Sequence, residues 1–296
     1  MKILCIGHAA YDITFPVDHF VIENTKNRIT ERVECGGGPA SNAAYLLGKY
    51  GADVYFMGLV GNDYYGNKIE EELKSVNVNT KYLKKIDGFN TTLSTIIANK
   101  ENGSRTILTY RTSKMSYPIT DIDFTPDIIL VDGQEIEASN YMIDKYKDAI
   151  TVIDAGRATD EIIALSKKVD YLVCSHDFAE AVTNIKTSDE NYAAIFNTME
   201  EKFKNNVFIT LEAKGCLYKN NGKILLMPSI SVKPIDSTGA GDLFHGAFVY
   251  CLSIGYPIEE VIKISNIVGA LSVTKIGGRF SVPTKEEIKN IYANFR

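Results

Sequence analysis

The segment Asp236-Ser237-Thr238-Gly239-Ala240-Gly241-Asp242 runs directly into Leu243-Phe244-His245-Gly246-Ala247-Phe248, joining a turn of small residues to an apolar stretch. Positions 243, 244, 247, 248, 251 and 252 are apolar at helical spacing, so the turn is predicted at a helix N-terminus. The first N–H groups of a helix lack partners within it, and the helix dipole adds partial positive charge at that end. We therefore expect the turn to bind an anion.

Asp242 stands in the first turn of this predicted helix, beside the expected anion. Gly239 and Gly241 allow a phosphate to approach the backbone closely, and glycine supplies the positive φ that such a turn needs. The anion repels the carboxylate, and the helix dipole offsets only about 0.3 to 1 kcal/mol of that repulsion. A carboxylate in this unfavourable position is explained if it acts as a base that accepts a proton from a hydroxyl. On spacing alone, an ordinary loop with Asp242 as a helix-stabilising residue explains the segment equally well.

Away from this segment, short apolar runs recur, and stretches with helical periodicity lie between most of them. The runs are Ile3–Ile6, Val54–Val60, Ile128–Val131, Thr151–Ile153, Tyr171–Cys174 and Val207–Leu211. This alternation predicts an α/β fold with a doubly wound, mostly parallel sheet flanked by helices. The last third of the chain is predicted to form helices over Leu243–Ser253, Ile258–Val273 and Lys285–Ala293.

Two regions, from about 12 to 35 and from about 90 to 112, lack a helical period. The second contains Asn102-Gly103 between two β-rich runs, which predicts a hairpin. We interpret both regions as a small antiparallel β lid on a single domain that spans residues 1–296. A sheet without helices of its own has to cover its apolar face, so we expect the lid to close over a ligand or to form a homodimer.

Composition limits the partners. The net charge of −5 provides no basic field for nucleic acid. No segment approaches the roughly 20 apolar residues of a membrane span, and the apolar N-terminal stretch is too short for a signal peptide. The five cysteines are scattered and never form a Cys-x-x-Cys pair, so reduced thiols and a cytoplasmic location are expected.

The segment at 236–242 resembles the second signature of the ribokinase (PfkB) family of carbohydrate kinases. Gly36-Gly37-Gly38-Pro39-Ala40-Ser41-Asn42-Ala43-Ala44 resembles the first, which continues through Gly58-Leu59-Val60-Gly61-Asn62-Asp63 to Gly66. The similarity runs from Ile3 to Ile288. It implies a ribokinase-like fold and an enzyme that transfers the γ-phosphoryl group of ATP to a hydroxyl of a small sugar.

The resemblance also implies roles for the residues of the turn. Asp242 would be the catalytic base, and the backbone at Gly239, Ala240 and Gly241 would stabilise the transferring phosphoryl group. Mg²⁺ would arrive with the nucleotide phosphates and be held largely through water.

Asp12, Gly38 and Asn42 match family positions that bind the sugar. Gly37 and Gly38 allow close backbone approach, and Asn42 offers both a hydrogen-bond donor and an acceptor. Asp12 follows the first strand, at the edge where α/β sheets bind ligands. Without the resemblance, Asp12 is equally explained as a solvated loop residue and Asn42 as a helix-start residue.

Two segments, at 102–107 and 131–135, resemble the ketohexokinase-like branch, in which Arg105 and Asp132 would lie near the acceptor. This branch favours a ketose or furanose such as fructose. The Asn-x-x-Glu motif of many family members is replaced here by residues 175–180, as in that branch. His176 in this segment is expected on the surface rather than at the phosphates.

For the base of ATP, the resemblance indicates Lys214, Gly215, Asn266, Ala270 and Gly278. A further set occupies places where some relatives hold a monovalent cation, so potassium activation is open but not predicted. This set consists of Asp236, Thr238 and Ser281. We expect Arg279 to be a surface residue; an anionic substituent or a partner copy are the alternatives.

Several alternatives fail on the sequence. Residues 61–68 mimic a Walker A loop, but Asn67 and Lys68 stand where Lys and Ser or Thr are needed. Residues 36–41 lack the last glycine of a dinucleotide fingerprint, which argues against a nicotinamide-dependent oxidoreductase. Intact residues at 239–242 argue against a non-catalytic sugar-binding protein. A nucleoside or an acidic sugar remains the alternative substrate.

Overall fold

The structure is a computed structural model that describes residues 1–111 and 115–293. The described residues form thirteen strands in two sheets. The strands are β1 (Lys2–Ile6), β2 (Ala10–Val17), β3 (Val33–Gly37), β4 (Asp53–Gly61), β5 (Asn79–Ile86), β6 (Thr92–Asn99), β7 (Arg105–Tyr110), β8 (Ile128–Val131), β9 (Ile150–Ala155), β10 (Tyr171–Ser175), β11 (Asn206–Thr210), β12 (Gly215–Asn220) and β13 (Lys223–Pro228).

Helices connect most of these strands. They are α1 (Pro39–Lys49), α2 (Tyr64–Ser75), α3 (Ile136–Lys145), α4 (Asp160–Ser166), α5 (His176–Thr183), α6 (Tyr192–Phe203), α7 (Ala240–Ser253), α8 (Ile258–Ser272) and α9 (Lys285–Tyr292). The three helices predicted for the last third of the chain are α7, α8 and α9. Helix α7 begins at Ala240, so it includes the end of the Gly-Ala-Gly turn.

The large sheet has the order β13-β12-β11-β10-β9-β8-β1-β4-β5. The first seven strands in this order, counted from the β5 edge, pair in parallel: β5, β4, β1, β8, β9, β10 and β11. At the other edge, β12 and β13 form an antiparallel hairpin, and β12 pairs antiparallel with β11. The predicted doubly wound α/β fold is therefore confirmed. The chain runs from β1 outward through β4 and β5, then resumes on the other side of β1 at β8. Such a reversal leaves a crevice at the carboxyl ends of the strands, where α/β folds bind ligands.

The core lies in two layers, one on each face of this sheet. Strand β1 supplies both, because successive side chains of a strand point to opposite faces. Ile3 and Cys5 pack with one cluster and Leu4 and Ile6 with the other, and all four are fully buried. All five cysteines are free and buried. In the described part of the chain, no helix combines the length and apolar character required to span a bilayer.

The smaller sheet is the predicted lid, with the order β3-β2-β6-β7. Its β2–β3 and β6–β7 pairs are antiparallel, but the central β2–β6 pair is parallel, so the sheet is mixed. The hairpin predicted at Asn102-Gly103 is present, and Gly103 takes a positive φ of 73°. Residues 18–32 are irregular, and residue 112 of the second predicted region lies outside the described residues.

Candidate active site

The turn before α7 leaves backbone N–H groups available. Gly239 adopts the left-handed conformation with φ 75°, and no side chain caps the helix. Ala240 N–H lies 3.4 Å from the Ser237 carbonyl oxygen, but the N–H groups of Gly241 and Asp242 have no acceptor in the described part of the chain. A Cβ placed on Gly241 would meet no atom within 4 Å, so the space above the turn is open. This geometry fits an anion site at a helix N-terminus.

The Asp236 carboxylate holds the turn in place. Its Oδ1 accepts a hydrogen bond from the Thr238 N–H at 2.9 Å, and its Oδ2 accepts one from the Gly277 N–H at 2.9 Å. The turn is therefore tied to the loop that follows α8. Gly278 in that loop backs the turn, because a Cβ on Gly239 would lie 3.1 Å from the Gly278 Cα.

Asp242 and Asn42 bring the two signature segments together. Asn42 lies in α1 and is 1% exposed, and its Nδ2 donates to Asp242 Oδ2 at 2.8 Å. The two residues are 200 positions apart in the chain. The hydrogen bond fixes one oxygen of a partly buried carboxylate and leaves the other without a protein partner in the described part of the chain.

Asp12 lies on β2 and is buried against the first signature segment. A Cβ on Gly37 would lie 2.1 Å from Asp12 Oδ2, so a larger residue there would displace the Asp12 carboxylate. Burial raises the pKa of Asp12 to about 6; the Ser94 hydroxyl lowers it, and the nearby charge of Asp242 raises it further.

Gly38 and Asp132 serve local backbone geometry. Gly38 has φ 94°, and a Cβ there would approach the His8 carbonyl oxygen to 2.4 Å. Asp132 Oδ2 accepts from His8 N–H at 2.8 Å and from Ala40 N–H at 3.1 Å, while its Oδ1 accepts from Gln134 N–H at 3.0 Å. Burial raises the pKa of Asp132 to about 7, although these N–H donors lower it. The carboxylate joins the end of β1, the start of α1 and the end of β8.

Arg105 contacts the turn of the second signature. Its Nη1 donates to Ser237 Oγ at 2.6 Å, and the Ser237 N–H donates to the Gly103 carbonyl oxygen at 3.0 Å. A Cβ on Gly103 would lie 2.5 Å from Pro234 Cβ. The tip of the lid hairpin therefore contacts the segment that leads into the turn before α7.

The residues predicted for the base of ATP fall into separate groups. Asn266 Nδ2 donates to the carbonyl oxygens of Met227 and Pro228 at 3.0 and 3.2 Å. Gly215 lies at the same place, since a Cβ there would be 2.0 Å from the Met227 oxygen. Lys214 instead pairs with Asp189 at 2.8 Å.

Ala270 is buried in α8, four residues after Asn266 on the same helix. Gly278 lies in the loop after α8, against Gly239 of the turn before α7. The segment 175–180 forms the start of α5, where His176 Nε2 lies 3.3 Å from Asp177 Oδ1. His176 begins α5 and its side chain is 28% exposed, so it is partly buried.

The three candidate cation ligands have different partners among the described residues. Both oxygens of Asp236 are already hydrogen-bonded, and Ser281 Oγ donates to the Gly278 carbonyl oxygen at 2.7 Å. Thr238 Oγ1 is buried without a partner, so it is a free oxygen of the kind that a monovalent cation binds. For divalent metals, residues 1–111 and 115–293 contain no group of three or more acidic, His or Cys side chains placed to hold an ion.

The expectation that Arg279 lies on the surface is wrong. Its side chain is 0% exposed, and Nη1 donates to Glu72 Oε2 at 2.8 Å. No local pattern predicts this pair, because Glu72 stands among other charged residues of α2, 207 positions away. A second unpredicted contact joins α7 to β9, where His245 Nδ1 is 3.3 Å from Asp154 Oδ2.

A sequence model of the pfkB family of carbohydrate kinases matches residues 1–285, and the chain belongs to that family. It is therefore a phosphotransferase that acts on an alcohol group. A ribokinase of Haemophilus influenzae is 26% identical over 263 residues, which cover 85% of each chain. A nucleoside kinase of Methanocaldococcus jannaschii is 23% identical over 295 residues, 97% of this chain and 95% of the relative.

A solved structure confirms the fold. That structure, Arabidopsis thaliana ribokinase complexed with ribose and ATP, matches with a TM-score of 0.80 at 21% identity, covering 98% of this chain and 97% of that one. The two relatives are a ribokinase and a nucleoside kinase. The ketohexokinase-like branch suggested by the sequence therefore stays a prediction.

The three N–H groups that meet Asp132 predict the effect of Asp132→Asn. The amide replaces one acceptor oxygen with an NH₂ group that faces an N–H donor. We expect the free energy of unfolding to fall by about 1 to 3 kcal/mol. Urea denaturation at pH 4 measures this loss, because the buried carboxyl of the native state is then protonated and neutral, as the amide is, and its ionisation no longer costs stability. The control is Asp53→Asn at the exposed start of β4, with an expected change within about 0.5 kcal/mol. If Asp132→Asn left the stability unchanged but raised KM for the acceptor, the result would instead support the predicted contact between Asp132 and the acceptor.

Proposed function

We propose that this protein is an ATP-dependent kinase of a small sugar in which Asp242 is the catalytic base. The observation that carries the proposal is the geometry at the start of α7. One carboxylate oxygen of Asp242 is held by Asn42 at 2.8 Å, and the other adjoins a turn whose Gly241 and Asp242 N–H groups have no acceptor among the described residues. A base and an oxyanion site thus lie side by side, as phosphoryl transfer requires.

In this mechanism the acceptor hydroxyl lies between Asp242 and the turn. Asp242 Oδ1 accepts the proton while the hydroxyl oxygen forms a bond to the γ-phosphorus, and the bond from that phosphorus to ADP breaks. The N–H groups at the start of α7 donate to the phosphoryl oxygens and stabilise their negative charge. Asp12 and Asn42 bind the other hydroxyls of the sugar, and the glycines at 37 and 38 admit it close to the backbone.

For the nucleotide, we propose that the base lies beside β13, near Gly215 and Asn266. Mg²⁺ bound to the nucleotide phosphates would neutralise the charge that develops on them. With no acidic cluster in the described ranges, the phosphates and water would supply most of its ligands. ATP as cosubstrate and five free cysteines favour the cytoplasm.

Ribose and related furanoses are the first acceptors to test, with fructose next. The ribokinase and nucleoside kinase relatives support a pentose or a pentose-containing acceptor, whereas the segments at 102–107 and 131–135 favour a ketose. A nucleoside or an acidic sugar is the alternative. An assay of ADP release over ribose, deoxyribose, fructose, nucleosides and sugar acids distinguishes these acceptors.

The substitution Asp242→Asn tests the base. The amide keeps the shape of the side chain but cannot accept the proton, so kcat should fall by about 10² to 10⁴ while both ligands still bind. Steady-state ADP release gives kcat, and calorimetry gives the two affinities. Asp53→Asn, at an exposed carboxylate at the start of β4, is the control and should retain the wild-type rate. A variant at position 242 with full activity on the accepted sugar would refute the assignment.

We further propose that two copies pair through the lid. Strand β7 is at the edge of the small sheet and exposed along its whole length. Its Ile107, Leu108 and Tyr110 side chains are 44%, 60% and 59% exposed. An uncovered edge with apolar side chains favours pairing with another strand, and symmetric dimers are the commonest oligomers.

The lid dimer predicts a mass of twice 32.8 kDa in size-exclusion chromatography with light scattering. Leu108→Glu should shift the protein to a monomer, because a carboxylate would be buried in the interface. Ile254→Glu introduces the same charge at a side chain that is 48% exposed at the end of α7, and should leave the dimer intact. A monomeric wild type, or a dimer that persists in Leu108→Glu, would contradict the proposal.

A further inference from the structure

Arg279 contacts the residue that holds the proposed base. Its Nε donates to Asn42 Oδ1 at 3.3 Å, and its Nη2 donates to the hydroxyl of Ser41, the preceding residue of α1. With the Glu72 contact, each of the three guanidinium nitrogens has a partner. The guanidinium also lies over the ring of Tyr45, 5.3 Å from its centroid. A fully buried arginine is thus joined through one side chain to Asp242.

The packing around Arg279 is specific to a guanidinium. A Cβ on Gly36 would lie 2.1 Å from Arg279 Nη1, so the backbone of the first signature leaves room for the group. Glu72 Oε2, which pairs with Nη1, also accepts the Gly36 N–H at 2.8 Å. A buried ion pair adds little net stability compared with apolar residues of the same volume. Stability alone therefore does not explain the contact with Asn42.

The two partners of Asn42 determine which way its amide faces. Its oxygen meets an N–H donor of Arg279, and its Nδ2 meets a carboxylate oxygen of Asp242. Turning the amide over would place oxygen against the carboxylate and NH₂ against the guanidinium. Both new contacts would be repulsive, because each pairs like with like. While Arg279 is present, Asn42 can only donate to Asp242.

We propose that Arg279 is a positioning residue for phosphoryl transfer, acting through Asn42. By fixing the Asn42 amide, it fixes Asp242 Oδ2 and leaves Oδ1 to accept the proton of the acceptor hydroxyl. The proposal rests on the proposed function of Asp242. It adds that the rate depends on a buried side chain outside the reacting groups, located in the loop after α8.

The test is a double-mutant cycle between Arg279→Met and Asn42→Ala, measured by ADP release. Methionine fills similar space but donates no hydrogen bond. In the wild-type background we expect Arg279→Met to lower kcat by about 10- to 100-fold, because misplacing a catalytic group by 1 Å costs up to that much. KM for ATP should change by less than about threefold, since the nucleotide contacts are unaltered. In the Asn42→Ala background, the same substitution should change kcat by less than about threefold.

Two variants separate positioning from folding. Arg279→Lys keeps the charge, but one ammonium cannot donate to both Glu72 and Asn42 with the geometry of the guanidinium, so kcat should stay well below wild type. This variant decides the question if Arg279→Met is insoluble. Glu72→Gln weakens the ion pair but keeps an oxygen acceptor, so the melting temperature should fall while kcat stays within about threefold of wild type.

Equal losses of kcat in both backgrounds would show that Arg279 acts independently of Asn42, and an unchanged kcat would show that it does not act on the rate. Either result overturns the inference. The cycle measures the effect of Arg279→Met in each background and does not involve Asp242→Asn. It can therefore overturn the role of Arg279 while Asp242→Asn still lowers kcat as the proposed function predicts. Full activity of Asp242→Asn would instead remove the proposed function itself.

Discussion

The Asp236 carboxylate accepts hydrogen bonds from Thr238 and Gly277, and the rest of the site depends on this pair of bonds. They join the segment before α7 to the loop after α8, although 41 residues separate Asp236 from Gly277. With the turn held from behind, Gly239 can take its positive φ, and the first N–H groups of α7 remain without acceptors in the described structure. A flexible turn would have to reorganise as charge develops, whereas a fixed one donates at once.

The large sheet and the lid determine what can reach this turn. Strands β1 and β8 are the parallel neighbours between which the strand order of the sheet reverses. Asp132 joins the carboxyl ends of both strands to the start of α1. That junction directs Asn42 toward Asp242. From the other side, the lid hairpin contacts Ser237 through Gly103 and Arg105. The lid is thereby coupled to the segment that forms the anion site, so movement of the lid would change the site as well as its access.

Local patterns in the sequence were sufficient for much of this. The apolar runs such as Ile128–Val131 predicted parallel strands, and Asn102-Gly103 predicted its hairpin. The apolar period after Gly241 predicted a helix N-terminus, and its Gly241 and Asp242 N–H groups have no acceptor among the described residues. The edge hairpin of β12 and β13, the mixed lid and the buried state of Arg279 were not predicted. Each depends on contacts between distant residues, such as Arg279 with Glu72, for which a single sequence carries no signal. Asp132 was expected near the acceptor, and only the fold reveals the three N–H groups around it.

The central claim is that the N–H groups at the start of α7 bind the transferring phosphoryl group. Amide NMR of ¹⁵N-labelled protein with MgADP, aluminium fluoride and the accepted sugar tests it most directly. The account predicts large shifts of the Gly241 and Asp242 amide resonances with this mimic of the transferring phosphoryl group, and much smaller shifts with sugar alone. Unchanged resonances at these two residues, with the large shifts elsewhere in the chain, would contradict it.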